Sequence, residues 1–179
     1  MPNWKLIRRM LVPMPVARLY YFWKYRARIS GKAEVDLALS TSWGEGCVIS
    51  PYAKVKIPGE FVMGRRVRIG PGCFIDSGTA GLTIGDDVVI GSNSTIVNVS
   101  YRFDELHVPL AEQGLVSSGI RIGHRVYIGP NAVILNGTEI GDDAVICANS
   151  VVSGRVPPRA IVSGNRSRVI PSSDSSPPR

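Results

Sequence analysis

Histidine is nearly missing. The chain has two, His107 and His124, so a multi-histidine metal site cannot form within one copy, and no HExxH pair exists. No metal is expected. Cysteine is sparse as well. Cys47, Cys73 and Cys147 form no CxxC pair, and an odd count suits a reducing compartment better than a disulfide framework. No apolar run approaches the length of a transmembrane helix. Pro13 and Pro15 interrupt the N-terminal apolar stretch and no small-residue cleavage site follows, which argues against a signal peptide. Acidic residues are absent from positions 1–30, where Lys5, Arg8, Arg9, Arg18, Lys24, Arg26 and Arg28 supply seven positive charges. The whole chain carries +7, so residues 31–179 balance at fourteen against fourteen. A neutral body with a basic N-terminus does not have the charge distribution of a nucleic-acid binder.

The body also lacks the three-and-four spacing of a helix and the alternation of a lone strand. What it has is a period of six. From Ile122 the aliphatic positions are Ile128, Ile134, Ile140, Ile146 and Val152. Four residues after each of the first five stands a small or β-branched residue: Val126, Ala132, Thr138, Ala144 and Ser150. The same spacing starts at Leu37, Trp43, Ile49 and Val55. After a two-residue slip it resumes at Ile57, Met63, Ile69 and Ile75. A second slip at 78–83 precedes Ile84, Ile90 and Ile96. The companion positions here include Thr41, Cys47, Ala53, Val67, Cys73, Thr79, Val88, Ser94 and Ser100, with Phe61 as the large exception. Gly follows the aliphatic residue in eight of seventeen repeats, where the chain must turn without a Cβ clash.

Such a repeat predicts a prism. Each hexad gives a short strand and a turn, the two marked positions point inward, and stacked coils pair one another's backbone about 4.8 Å apart. Two segments fall outside it. In residues 1–34, Val16, Leu19, Tyr20, Trp23 and Ala27 form a helical stripe, separated by the prolines from Trp4–Val12. Two readings stay open: a cap packed on the end of the prism, or a basic, aromatic segment that also attaches to anionic lipid. The second segment is the excursion 97–119, whose Tyr101, Arg102, Phe103, Asp104, Glu105, His107, Glu112 and Gln113 favour function over a plain linker. The expected division is a basic helical segment at 1–34, a repeat body at 35–156 and a tail at 157–179 with a disordered end.

The run IGHRVYIGPNAVILNGTEIGDDAVICANSVVSGRVPPRAIVSGNRSRVI resembles the C-terminal half of bacterial hexapeptide-repeat acyltransferases, the sugar O-acetyltransferase branch in particular. The likeness covers about residues 37–170. It implies an all-β fold, a left-handed parallel β-helix with an N-terminal helical cap and a protruding loop. It implies a homotrimer with acetyl-CoA sites between subunits, and acetyl transfer to a hydroxyl of a surface glycan or its precursor. The setting would be cytoplasmic, with peripheral membrane contact through residues 1–30.

In relatives the base is a His in a loop reading like S-H-x-[FY]-D-D-x-D-x-P-[IL]-x-x-Q-G. Here the loop reads Ser100–Tyr101–Arg102–Phe103–Asp104–Glu105–Leu106–His107–Val108–Pro109–Leu110–Ala111–Glu112–Gln113–Gly114. Tyr101 stands at the position of the His, and His107 where an acid is common. A phenol, with an ordinary pKa of about 10, is a poor general base at neutral pH. Three readings follow: His107 is the base; Tyr101 positions substrate and another group or an amine acceptor removes the need; or the chain is an inactive scaffold. The resemblance further places Asp76 and Arg102 on the acceptor side, with a turn role for Asp76 equally open. It places Tyr127, Ala148, Ser150, Arg155 and Arg168 along CoA. His124 is expected to be an exposed turn residue.

Overall fold

The computed structural model describes residues 14–36, 38, 41–105, 107–165 and 168–170. One helix, α1 (Met14–Tyr25), is followed by strands of two or three residues. All but two of them build three sheets. The first runs from Arg28–Ile29 through Val48–Ile49, Arg68–Ile69, Val89–Ile90, Tyr127–Ile128 and Val145–Ile146 to Ile161–Ser163. The second runs from Glu34–Val35 through Lys54–Lys56, Phe74–Asp76, Thr95–Val97 and Val133–Ile134 to Val151–Val152. The third runs from Thr41–Trp43 through Phe61–Met63, Leu82–Ile84, Ile120–Ile122 and Glu139–Ile140 to Arg155–Val156. Every neighbour within these runs is parallel, for example Val89↔Tyr127 and Ile90↔Ile128. The chain visits the three sheets in rotation, so the fold is a parallel solenoid of about seven turns.

The six-residue rule is obeyed side chain by side chain. Ile122, Ile128, Ile134, Ile140, Ile146 and Val152 are buried, and so are Val126, Ala132, Thr138, Ala144 and Ser150. Burying each large aliphatic contributes roughly 1.5–3 kcal/mol. The small partner is required because three inward rows share one narrow interior. Phe61 fits because the first coils end against α1, where Trp43 meets it edge to face at 6.1 Å between centroids. Two expectations fail. Thr79 and Ser100 are exposed. Each follows the point where its coil leaves the period, and Ser77 and Asn98, each two residues earlier, turn inward instead. Leu37 lies outside the described residues.

The glycines work by proximity. A Cβ on Gly129 would stand 2.5 Å from the Ala148 nitrogen, and one on Gly91 2.5 Å from the Pro130 nitrogen. The left-handed backbone falls two residues later, on Asn93 (φ 58), Arg125 (φ 55), Asn131 (φ 56) and Asp143 (φ 60). The turn residue and the clash-avoiding residue are thus different residues of one hexad.

The boundaries shift outwards. The winding begins at Arg28 and continues through Ile161–Ser163, against which Arg168–Ile170 folds back antiparallel. The helical stripe also needs correction. Among the described side chains of α1, Tyr21 is fully buried, stacked on Trp43, and Arg18 Nε donates to the Ile29 carbonyl at 3.0 Å. Val16, Leu19, Tyr20 and Trp23 face outwards; only Ala27 of that stripe is buried. Trp4–Val12 and the last nine residues lie outside the described residues.

Candidate functional site

The prism has three corners, and the one between the second and third sheets is irregular. In the third coil it is the turn 77–81, and in the fourth it is the excursion. The excursion begins after Val97, whose Cα partner one coil below is Asp76, and the chain rejoins the third sheet at Ile120, paired with Leu82.

The excursion is ordered. Ser100–Tyr101 pairs antiparallel with Leu115–Val116, and the Arg102 nitrogen donates to the Gly114 carbonyl at 3.0 Å. Across the tip, Gln113 Nε2 donates to the carbonyls of Glu105 and Val108, each at 2.8 Å, and Oε1 accepts from the Glu105 nitrogen at 3.1 Å. At the base, buried Asn98 donates through Nδ2 to the carbonyls of Ser77 and Gly81, both at 2.7 Å. Its Oδ1 is buried with no partner among the described residues. Ser117 Oγ accepts from the Ala80 nitrogen at 3.0 Å. The hairpin and the turn beneath it are thereby fastened into one unit. Nothing in the residue pattern marked Asn98; the signal was an Asn two residues past the last aliphatic position before the excursion.

Tyr101, Arg102 and His107 are exposed on this hairpin. Asp76 lies one coil below its root, where Oδ1 accepts from the Gly78 nitrogen at 2.9 Å, which is a turn role. A groove runs beside the same corner on the third sheet. Gly81, Gly119 and Gly137 line it together with the charged residues Glu60, Arg121 and Glu139. Neither Tyr101 nor His107 lines it.

The other sequence-derived residues are dispersed. Arg155 is exposed on the third sheet, two coils beyond the hairpin. Tyr127 is exposed on the first sheet, which is the face opposite the hairpin's corner, and Ala148 is exposed at the corner between the first and second sheets. Ser150 points inward: its hydroxyl donates to the Val162 carbonyl at 3.4 Å and accepts from the Gly164 nitrogen at 3.2 Å. Its side chain therefore holds the core and is not free for a ligand. Arg168 belongs to the terminal strand, and its side chain lies outside the described residues. One chain thus brings Asp76, Tyr101, Arg102 and His107 to one corner, and holds Tyr127 and Ala148 away from it.

The third corner carries charges of alternating sign. Arg66 pairs with Asp87, and Arg125 pairs with Asp143 at 2.6 and 2.8 Å. The guanidinium bonds hold both carboxyls below the usual range. His124 sits here as a turn residue, its Nδ1 accepting from the Asp86 nitrogen at 3.0 Å. Among the described residues no group of His, Cys, Asp and Glu could hold a metal ion, and no helix is long and apolar enough to cross a membrane.

Known proteins resemble this chain in sequence and fold. The family description "Bacterial transferase hexapeptide (six repeats)" matches residues 119–154, and "Hexapeptide repeat of succinyl-transferase" matches residues 66–96. Galactoside O-acetyltransferase of Escherichia coli is 36% identical over 154 residues, covering 82% of this chain and 73% of that protein. A probable acetyltransferase of Mycobacterium tuberculosis is 33% identical over 89 residues, covering 50% of this chain and 30% of that protein. The chain therefore spans less than a third of that mycobacterial relative. Among solved structures, a mutant of the Bacillus cereus N-acyltransferase AntD, in complex with dTDP-4-amino-4,6-dideoxyglucose and coenzyme A, superposes with a TM-score of 0.75 at 18% identity over 89% of this chain and 90% of that one.

Proposed function

Because this chain belongs to the hexapeptide-repeat transferases of the sugar O-acetyltransferase type, with the left-handed parallel β-helix of that family, we propose that it transfers an acetyl group from acetyl-CoA to a sugar hydroxyl. The acceptor would belong to a surface glycan or its precursor, and the reaction would take place in the cytoplasm. The observation that carries this reading is the fastened hairpin, which presents Tyr101, Arg102 and His107 at one corner of a rigid prism.

The reaction needs little from the protein beyond placement and a proton acceptor. The sugar oxygen attacks the thioester carbonyl, its proton passes to a base, and the collapsing tetrahedral intermediate expels the CoA thiolate, which takes up a proton. A positioned base contributes roughly 10²–10⁴-fold, and backbone N–H groups stabilise the oxyanion. His107 is the imidazole on the hairpin and takes the base role. Tyr101 and Arg102 orient the acceptor by hydrogen bonds, with Asp76 shaping the floor below them.

CoA binds along Tyr127, Ala148, Arg155 and Arg168 in this reading. Tyr127 faces away from the hairpin's corner, so one chain does not complete the site. A homotrimer completes it by laying the hairpin of one copy over the first sheet of the next.

A second reading is N-acylation of a nucleotide-linked amino sugar. An amine acceptor needs less help from a base, which suits Tyr101 at the position of the family's His. A single series tests both. Purified protein is given acetyl-CoA with sugars, sugar nucleotides and amino sugars, and thiol release is followed for wild type, His107→Ala and Tyr101→His. O-acetylation through His107 predicts turnover with a hydroxyl acceptor and a loss of about 100-fold or more in His107→Ala. Turnover with amino sugars alone, unaffected by His107→Ala, selects the second reading. No turnover by wild type, restored by Tyr101→His, makes the native protein a scaffold.

A further inference from the structure

The helix α1 caps the first coil with one side and turns a second, larger apolar side away from it. Its inner face is short: Tyr21 stacks on Trp43, Arg18 reaches the Ile29 carbonyl, and Tyr25 donates to the Thr41 carbonyl at 3.2 Å. Those three residues follow helical spacing and hold the helix to the first coils. On the opposite side Val16, Leu19, Tyr20 and Trp23 stand at the same spacing, with Phe22 beside them. Leu19 is 57% exposed and Trp23 78% exposed. Among the described residues nothing covers this row of large apolar side chains, and such a row at the end of a solenoid needs something to lie against.

The charge around the row states what that is. Lys24, Arg26, Arg28 and Lys32 are exposed at this end of the solenoid. Lys24 is held by the Tyr20 hydroxyl at 2.9 Å and lies over the ring of Tyr25, which raises its pKa and keeps it cationic. The first thirty residues hold seven Lys and Arg and no acid. The first coil also carries the exposed acids Glu34, paired with Lys54 at 2.9 Å, and Glu45, so exposed cations outnumber exposed acids at this end, and a protein partner or second copy burying Trp23 would face that excess with its own charges. A membrane surface supplies the complement everywhere: acyl chains for Leu19, Phe22 and Trp23, and lipid phosphates for the cations.

We propose that the outward stripe of α1, Val16–Leu19–Tyr20–Trp23 with Phe22, is a docking surface for an anionic phospholipid bilayer. The helix lies in the interface plane and the solenoid stands on it. The hairpin leaves the fourth coil, three coil spacings from the first, or roughly 14 Å at about 4.8 Å per coil. Its corner is thereby held just above the headgroups. Docking stands on the exposure and charge of α1 and is independent of the transferase reading.

The test is flotation of the full chain with vesicles of equal parts phosphatidylglycerol and phosphatidylcholine, beside vesicles of phosphatidylcholine alone. The expected result is binding to the anionic vesicles only, weakened by salt and lowered at least tenfold in Leu19→Ser/Trp23→Ser. Both side chains are exposed, so the double variant should keep the wild-type melting temperature and sedimentation coefficient. Quenching of tryptophan fluorescence by iodide should fall on adding anionic vesicles to wild type and not to the variant. Failure of wild type to float, or equal flotation of the double variant, overturns the proposal. A changed sedimentation coefficient in the variant overturns it in favour of an interface between copies. None of these readouts depends on turnover.

Discussion

The ring of Tyr21 lies 4.2 Å from that of Trp43, with 12° between their planes, and so closes the open end of the first coil. Both rings are buried, and Phe61 meets the far side of Trp43. Tyr21→Ala should therefore cost about 3–5 kcal/mol, as deletion of a buried aromatic ring does. Urea denaturation checks it, read as a lower midpoint at unchanged slope. Trp23→Ala, two residues along the same helix but exposed, should shift stability by about 0.5 kcal/mol or less.

Gly129→Ala sets a second expectation. Its Cβ would stand 2.5 Å from the Ala148 nitrogen and 2.9 Å from the Cys147 carbonyl carbon, both backbone of the next coil. The coils cannot part there, because the Gly129 nitrogen donates to the Ile146 carbonyl at 2.7 Å. Overpacking of this kind costs about 1–3 kcal/mol. Gly114→Ala meets nothing within 4 Å but has φ +84, so its cost of about 1 kcal/mol is conformational alone. Thermal melts of the two variants separate the causes, since only Gly129→Ala should loosen hydrogen exchange in neighbouring coils.

Asn98→Ala removes two hydrogen bonds and leaves the carbonyls of Ser77 and Gly81 without them. The Gly81 carbonyl keeps the Ile120 nitrogen at 3.2 Å, but the buried Ser77 carbonyl is orphaned, at a cost of about 1–3 kcal/mol. The larger effect should be on placement. Amide exchange at Ala80 and through 98–117 should speed up, and turnover should fall while the solenoid stays folded. Gln113→Ala should loosen the tip around Glu105 and Val108 and leave the exchange of Ala80 unchanged.

The pairs at the third corner give a pH dependence. The side-chain bonds from Arg66 and Arg125 depress the carboxyls of Asp87 and Asp143, and the Arg65 backbone N–H first of all depresses Asp86. Depressed folded values mean that this contribution is complete above the unfolded carboxylate range, about pH 4, and is lost as pH falls through the folded values. The urea midpoint should be flat in this respect from about pH 7 to 5 and should decline below about 4. Asp143→Asn should make that decline shallower, and added salt should do the same because the pairs are exposed.

The solenoid was legible because its rule is local and strict. An aliphatic residue and a small one recur at fixed spacing, and from Ile122 to Val152 each lands inside. The rule fails at Thr79 and Ser100, where a turn of irregular length breaks the register and period alone no longer says which side chain points in. The stripe on α1 misleads for a related reason. Helical spacing marks Val16, Leu19, Tyr20 and Trp23 as one face but does not say which face meets the body, and a single stack of Tyr21 on Trp43 decides that. The loop residues Tyr101, Arg102 and His107 were singled out by resemblance, and they share one corner of the prism. Asn98 was not, because its role depends on two carbonyls 17 and 21 residues away. Ser150 was legible as an inward small residue.

The way the hairpin is attached bears on how such a protein diversifies. Thr95–Val97 and Ile120–Ile122 each keep parallel partners in the coils on either side, so the two ends of the excursion are already held by the scaffold. Changing the length between them costs only slowly growing closure entropy, and the inward rows are untouched. Recognition can therefore drift, lengthen or be grafted from a cousin without renegotiating the fold. Ancestry would then be written in the coils, and occupation in the hairpin.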